Sequence, residues 1–324
     1  MIEICHLYHI TIEANPFILQ LLRMNHCFGQ FGKFSASKTS RQKLLRFSAM
    51  EKIVEIRGAT LSSPTFDAQG NLCFCSMNNG EIFMMPNHSD MGQASPVLIT
   101  NTNGAPSAIT FNDGLLYIAD SANQSIMKMD PDNNEIVSIR NEFRGKTFIG
   151  PNGIVSNSKG FMYFTDSGPF GETSLENASG SVYCLSADGK SIQTLAHKCL
   201  ASPSGIIISP QNENVIFVAE TMKNRILRFV HVNGAFYCSV FHQLSGSVGP
   251  MALTCDEEGN IYVGMFEFKD MSNEGRILIL QPNGILRKEI IVENVTEITG
   301  LAYKRGSLFI CEGSSVYQYE LEHE

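Results

Sequence analysis

Acidic side chains recur in this sequence at one position of a repeated pattern, where a short apolar stretch ends. Asp120, Asp166 and Glu220 lie in the segments Ala-Asp-Ser, Thr-Asp-Ser and Ala-Glu-Thr. A carboxylate can act as a general acid or base, but a catalytic residue seldom recurs in successive structural units. We therefore predict a structural role, in which these carboxylates accept backbone N–H hydrogen bonds in the following turn.

Motifs for several other kinds of chemistry are missing from the sequence. It contains no nucleophile elbow, no phosphate-binding loop and no paired cysteines at zinc-site spacing. His197 and His242 have no acid or cysteine beside them at metal-ligand spacing, so we predict that both face solvent.

The pattern that carries the acids occurs six times, at spacings of about 42 to 52 residues. Each copy has a Pro or Gly turn, a short apolar strand, a polar turn, a second strand and often a third. The copies begin near Pro64, Pro106, Pro151, Pro203, Pro250 and Gly300. This period predicts an all-β fold, a six-bladed β-propeller with four-stranded antiparallel blades around a central channel.

Composition and charge exclude two classes of partner. The net charge of −8 argues against nucleic-acid binding, which needs a basic surface. No apolar run is long enough to predict a membrane span. We expect a small molecule or a protein partner at the channel face instead.

Cysteine usage predicts a reducing compartment. The nine cysteines are irregularly spaced, and five of them lie inside predicted strands, namely Cys73, Cys75, Cys184, Cys255 and Cys311. This arrangement is typical of reduced thiols that fill a core rather than of a disulfide framework. We therefore predict a cytoplasmic location.

The first part of the chain does not share the repeat. We predict that residues 1–49 form a poorly ordered N-terminal extension and that residues 50–324 form the propeller. Glu3 and Glu13 interrupt the start of the chain, which argues against a secretory signal. Met50 is followed by EKIVEIRG, which we interpret as the first strand of the propeller.

Two blade segments resemble a known superfamily. FIGPNGIVSNSKGFMYFTDSGPFGE is similar to a lactonase motif, and ASPSGIIISPQNENVIFVAETMKNRILRF is similar to a strictosidine-synthase-like motif. The superfamily groups senescence-marker-protein/gluconolactonase lactonases, paraoxonase-like esterases and strictosidine-synthase-like proteins. The resemblance covers residues 64–321 and implies a functional site in the central channel.

The resemblance also implies a divalent ion, usually calcium, that polarises a lactone or ester carbonyl. In the family a Glu, one or two Asn and an Asp hold this ion. At the matching positions this chain has Ser62, Asn152, Ser204 and Met251. Because a thioether is a poor ligand for calcium, we expect these residues to line a central pocket with a degenerate metal site and no cofactor. The alternative is a bound Ca²⁺ with Asn152 as a ligand.

Glu297 is the candidate catalytic residue. It matches the Glu that opens the last blade in strictosidine-synthase-like proteins, where the resemblance implies an acid/base role without a metal. Beside Met251 and Ile298, loss of water would raise the pKa of this carboxyl and make it a competent base. Alternatively, Glu297 caps a turn or pairs with Lys304 or Arg305 at the channel rim.

Two functional hypotheses follow from these residues. The substituted metal positions favour a non-catalytic member of the superfamily, acting as a small-molecule-binding or protein-interaction scaffold. The alternative is a calcium-dependent lactonase or esterase that hydrolyses a small substrate in the channel.

Overall fold

The protein is almost entirely β-structure, as the repeat predicts. A computed structural model describes residues 45–46, 50–87, 95–131, 133–246, 248–268 and 271–321. Within these ranges the strands, which we number β1 to β27 in chain order, are accompanied by one 3-10 turn at Thr221–Lys223. No helix among the described residues is long and apolar enough to cross a membrane.

The first three blades each contain four strands that are consecutive in the chain. Blade 1 contains β3 (Leu61–Phe66), β4 (Leu72–Ser76), β5 (Glu81–Met85) and β6 (Val97–Asn101). Blade 2 contains β7 (Pro106–Asn112), β8 (Leu115–Asp120), β9 (Ser125–Asp130) and β10 (Glu135–Arg140). A separate hairpin follows, made of β11 (Glu142–Phe143) and β12 (Lys146–Thr147). Blade 3 contains β13 (Pro151–Ser156), β14 (Met162–Asp166), β15 (Gly180–Leu185) and β16 (Ile192–Leu200).

The last three blades complete the ring, and two of them include strands from the start of the chain. Blade 4 contains β17 (Pro203–Ser209), β18 (Asn212–Glu220), β19 (Arg225–Val232) and β20 (Ala235–Gln243). Blade 5 contains β21 (Gly249–Cys255), β22 (Ile261–Phe266), β23 (Glu274–Leu280) and β24 (Leu286–Glu293), beside which β1 (Leu45–Arg46) pairs in parallel. Blade 6 contains β25 (Ile298–Lys304), β26 (Ser307–Glu312), β27 (Ser315–Glu320) and β2 (Met50–Glu55).

The first strand of each blade lines the centre of the ring. These six strands contact one another in ring order, from β3 through β7, β13, β17, β21 and β25 back to β3. Tight turns return the chain outward, as at Asp113 and Gly114, whose φ values of 50° and 77° are those a two-residue hairpin loop requires. The six-bladed prediction is therefore confirmed.

The described residues form six hydrophobic core clusters, each between two neighbouring blades. The second strands are buried on both faces, as in β14 and β22, because each lies between two strands and two blades. Burial of one large apolar side chain contributes about 1.5–3 kcal/mol. These clusters hold the first strands, and hence the channel, in place.

Buried cysteines contribute to these clusters. Cys73, Cys75, Cys184 and Cys311 are buried, whereas Cys255 is half-buried. Burial raises the pKa of the Cys73 thiol to about 12, so it stays a neutral apolar group. The core role predicted for these thiols agrees with the structure, and the cytoplasmic location remains a prediction.

The two ends of the propeller meet in blade 6. β2 pairs antiparallel with β27, so that Met50 lies opposite Tyr319. Among the described residues, the segment after Met50 is therefore the first long strand, and it is the outermost strand of the last blade. Except for β1, residues 1–49 lie outside the described residues, and their poor order remains a prediction.

We predict that a chain beginning at Met50 keeps the melting temperature of the full chain, whereas a chain beginning at Arg57 melts about 5 °C lower or more. The second truncation removes β2, which pairs with β27 and buries Val54. Thermal unfolding followed by circular dichroism measures both. Equal melting temperatures for the two truncations would contradict this account of ring closure.

Candidate functional site

The recurring acids lie at the channel end where the first strands begin, which we call the upper end. In the antiparallel register, Pro106 pairs with Asp120, Pro151 with Asp166, and Pro203 with Glu220. Each acid thus ends a second strand directly beside the start of a first strand.

The residues that follow these start positions form a ring of equivalent sites. The ring consists of Ser62, Ser107, Asn152, Ser204, Met251 and Thr299. All four residues predicted to line the pocket belong to this inner ring, in blades 1, 3, 4 and 5. Sequence reasoning missed Ser107 and Thr299, although both follow the start of a first strand. A pocket role for the ring remains a prediction.

Three ring hydroxyls link neighbouring blades. Ser204 Oγ donates to the Met251 carbonyl oxygen at 3.1 Å, and Ser62 Oγ donates to the Thr299 carbonyl oxygen at 3.2 Å. Thr299 Oγ1 donates in turn to the Leu61 carbonyl oxygen at 2.6 Å. Ser62 and Ser204 are buried, so their hydroxyls serve blade-to-blade contact.

Asn152 and Met251 are only half-buried, whereas Ser62 and Ser204 are buried. The Asn152 side chain takes part in none of the hydrogen bonds that link ring residues within the described structure. Its backbone is nevertheless fixed, because Gly153 N–H donates to Thr165 Oγ1 at 2.8 Å and that hydroxyl donates to the Ser204 carbonyl at 2.8 Å. A Cβ at Gly153 would lie 2.4 Å from the same carbonyl, so the two blades need glycine here.

Asp120 and Asp166 have the structural role that their repetition predicts. The Gly150 and Ile149 N–H groups donate to Asp166 at 2.8 and 3.2 Å. The Ala105 N–H donates to Asp120 at 3.0 Å. The prediction of backbone acceptance is confirmed, but most donors lie in the segment that leads into the first strand rather than in the following turn. Each carboxylate therefore fixes the start of the first strand of its own blade.

Burial raises the pKa of Asp166, while the N–H groups of Gly150 and Ile149 oppose this shift. The folded chain therefore binds a proton at the Asp166 carboxyl more tightly than the unfolded chain does. It follows that Asp166 lowers the free energy of unfolding as the pH rises through its folded pKa.

Glu220 combines the same backbone contact with two ion pairs. It is fully buried and accepts the Ala201 N–H at 2.8 Å. Arg225 Nε and Lys223 Nζ lie 2.6 and 2.9 Å from its two carboxylate oxygens. Both of its carboxylate oxygens are thus engaged within blade 4.

Glu297 is half-buried at the upper end, just before β25, and forms an isolated antiparallel bridge with Phe266 of blade 5. The idea that it pairs with Lys304 or Arg305 is wrong. These residues lie at the other end of β25, about 20 Å along the strand. Lys304 Nζ instead donates to the Gly70 carbonyl at 2.6 Å and lies 4.0 Å from the centre of the Phe66 ring.

A long loop of blade 3, residues 167–179, reaches across the upper end. Phe170, which is 6% exposed, lies 6.0 Å from Phe266 of blade 5, measured between ring centres. Thr173 Oγ1 accepts the Ser202 N–H of blade 4 at 3.1 Å. Sequence reasoning missed this loop, although its length between two strands is a usable signal. It brings the Phe170 ring beside Phe266, whose backbone pairs with that of Glu297.

The inner ring does not fit the calcium site that the resemblance implies. It contains one amide and no carboxylate, and the hydroxyls of Ser62 and Ser204 donate to carbonyl groups. Calcium takes six to eight oxygen ligands, including carboxylates. Within the described residues, no group of three or more His, Cys, Asp or Glu side chains is placed to hold a metal ion.

Comparisons with known proteins agree with the resemblance seen in the sequence. The family described as SMP-30/Gluconolactonase/LRE-like region matches residues 60–313. Lactonase drp35 of Staphylococcus saprophyticus is 29% identical over 239 residues, which cover 70% of this chain and 68% of that protein. The Arabidopsis thaliana protein STRICTOSIDINE SYNTHASE-LIKE 3 is 30% identical over 149 residues, 40% of this chain and 37% of that protein.

A solved structure shares the fold. A gluconolactonase from Xanthomonas campestris superposes with a TM-score of 0.70 at 19% identity, over 84% of this chain and 89% of that one. At this level of identity the likeness shows the propeller architecture and nothing finer.

We predict that Glu220→Gln lowers the free energy of unfolding by about 2 kcal/mol or more, because it leaves Arg225 and Lys223 without their buried counter-ion. The matched control is Glu135→Gln, on the exposed outermost strand β10. It should change the free energy of unfolding by about 0.5 kcal/mol or less. Urea denaturation measures both. Equal effects would show that the buried carboxylate does not hold the upper end together.

Proposed function

The chain belongs to the SMP-30/Gluconolactonase/LRE-like family, and we propose that it hydrolyses a small lactone or ester at the upper channel end. The observation that carries this proposal is the similarity to a protein named a lactonase along 70% of the chain. This relationship favours an enzyme over the non-catalytic scaffold that the substituted metal positions suggest.

The reaction needs a base that takes a proton from water, and a hydrogen-bond donor for the carbonyl oxygen. Glu297 would take a proton from water as the oxygen adds to the acyl carbon, and would return it to the alcohol oxygen as the ester bond breaks. The product of a lactone is then the open hydroxy acid. Asn152, whose amide takes no part in the inter-blade bonds, would donate an N–H to the developing oxyanion.

The aromatic side chains at the upper end support this assignment to Glu297. Phe266 is 2% exposed, and its backbone pairs with that of Glu297. Phe170 packs against Phe266 from the loop of blade 3. These rings form an apolar surface next to the backbone of Glu297, and small-molecule sites are lined mainly by such side chains with a few polar groups among them.

A metal-free binding protein is the second candidate, and one observation favours it. The inner ring has a hydroxyl group, from Ser62, and a thioether, from Met251, at positions where the family resemblance implies carboxylates. Such a ring could bind a neutral small molecule without turning it over. Activity measurements separate this candidate from the hydrolase.

We predict that the protein does not bind calcium at micromolar concentrations, because the ring supplies no carboxylate. Isothermal titration calorimetry, with thermal unfolding measured in parallel, tests this on the wild type and on Asn152→Ala. Micromolar binding that disappears in Asn152→Ala would overturn this prediction and favour a calcium-dependent lactonase.

We predict that the wild type hydrolyses at least one member of a panel of lactones and aryl esters, with or without a chelator. Glu297→Gln should lower kcat by about 100-fold or more, and Asn152→Ala should lower it by about 100-fold. The melting temperature should stay unchanged in both.

Matched controls for these variants lie away from the upper end. Glu135→Gln and Asn214→Ala change exposed residues of β10 and β18 and should keep full activity. A wild type that is inactive on the whole panel, with and without added calcium, would favour the binding protein. Full activity in both Glu297→Gln and Asn152→Ala would remove these residues from the reaction.

A further inference from the structure

The sequence contains five Asn-Gly pairs, and such pairs can undergo a reaction that needs no enzyme. The glycine backbone nitrogen attacks the side-chain carbonyl carbon of the asparagine, because the two groups are held close together and glycine has no Cβ to hinder the approach. The pairs are Asn79-Gly80, Asn103-Gly104, Asn152-Gly153, Asn233-Gly234 and Asn283-Gly284. Whether a pair reacts in the folded protein depends on the hydrogen bonds and the surroundings of its glycine nitrogen.

Four of the five glycine nitrogens are engaged in hydrogen bonds. Gly80 N–H donates to the Ser76 carbonyl at 3.1 Å, Gly284 N–H to the Gln281 carbonyl at 2.8 Å, Gly104 N–H to Thr102 Oγ1 at 3.2 Å, and Gly153 N–H to Thr165 Oγ1 at 2.8 Å. A nitrogen held in this way reaches the asparagine side chain only when the surrounding structure opens locally.

The Asn233-Gly234 pair is the two-residue loop of the β19–β20 hairpin, in which Val232 pairs with Ala235. The φ values of Asn233 and Gly234 are 52° and 81°, as a type I′ turn requires. Such a turn leaves the second loop nitrogen unbonded, and among the hydrogen bonds of the described residues none involves the Gly234 N–H.

The space around Gly234 is also open. Asn233 and Gly234 are both exposed, and a Cβ at Gly234 would lie within 4 Å of no neighbouring atom. The glycines of the other four pairs are buried or half-buried, and a Cβ at any of them would lie 2.2, 2.4, 2.6 or 2.8 Å from a neighbouring atom. A ring that closes on the glycine nitrogen therefore has room at Asn233 and lacks it at the other four pairs.

We propose that Asn233 is a site of spontaneous deamidation in the folded protein. The Gly234 nitrogen bonds to Asn233 Cγ, the bond from Cγ to the side-chain nitrogen breaks, and the Gly234 proton leaves with that nitrogen as ammonia. Water then opens the resulting succinimide at one of its two carbonyl groups and gives either aspartate or isoaspartate. The reaction consumes one water molecule and needs no oxidant or metal.

The two products differ in what they do to the turn. Aspartate keeps the type I′ geometry, which an Asp-Gly pair also suits, as at Asp113 and Gly114 in blade 2. Isoaspartate adds one carbon atom to the backbone of the loop. It therefore displaces the Gly234 carbonyl, which accepts a hydrogen bond from Gln193 Nε2 of blade 3 at 2.9 Å. Isoaspartate at this position thus disturbs a contact between blades 3 and 4.

Peptide mapping by mass spectrometry, after incubation of the folded full chain in a mildly alkaline buffer, measures deamidation at each pair. Asn233 should react about tenfold faster or more than the other four asparagines, which are matched controls within the same chain. The same incubation in enough urea to unfold the chain should remove this difference, because all five glycine nitrogens are then exposed.

Two variants test the chemistry and its consequence. Gly234→Ala should slow the reaction at Asn233 about tenfold or more, because its Cβ hinders the attack. Asn233→Asp should melt at the wild-type temperature, whereas wild type enriched in isoaspartate at this turn should melt lower.

In the folded chain, an Asn233 that reacts no faster than the other four asparagines would overturn the proposal. A difference that persists unchanged in urea would also contradict it, since the neighbouring sequence and not the fold would then set the rates. An undiminished rate in Gly234→Ala would exclude attack by the glycine nitrogen.

Discussion

The structure depends on a seam between the start and the end of the propeller. β2, from the start, pairs with β27, from the end, and the resulting sheet faces blade 1. The seam is held on its inner side by the Ser62 and Thr299 hydroxyls, and farther out by the Phe66 and Phe309 rings, whose centres lie 5.0 Å apart. Without this pairing blade 6 would lose its outer strand and part of the core that it shares with blade 1.

The upper channel end is organised by buried carboxylates that accept hydrogen bonds from the backbone. Asp120, Asp166 and Glu220 each use their oxygens to hold the segment that enters a first strand. The ring residue of the same blade follows within a few residues, so its position is set by a buried charge. Acids in this part of the fold are therefore poor indicators of a catalytic centre unless their hydrogen bonds are known.

The sequence was sufficient to predict the number of blades, because strand period and turn residues are local properties. The structural role of the acids was also predictable, since an acid that recurs in three successive blades cannot mark one active site. By contrast, the proposed pairing of Glu297 with Lys304 failed because a strand extends about 3.3 Å per residue and separates them. The contact between Phe170 and Phe266 was not predictable, because it joins blades that lie far apart in the chain.

In the inner ring, the local sequence pattern predicts where residues lie, whereas contacts between blades decide what their side chains bind. Proline-containing motifs placed Asn152 and Ser204 at equivalent positions, and the strand register agrees. Their surroundings nevertheless differ, since the Ser204 hydroxyl is bonded to the next blade while the Asn152 amide is not among the bonds that link ring residues. Residue type alone does not reveal which polar group remains available to a ligand.

The pairing of Met50 with Tyr319 has a consequence for how this chain can be rearranged. The first and last propeller strands are cross-strand neighbours, so their ends lie close together in space. A short linker could join them, and the chain could then be opened in an exposed loop between two other blades. Where the polypeptide starts within the propeller is therefore a property of its gene rather than of its architecture.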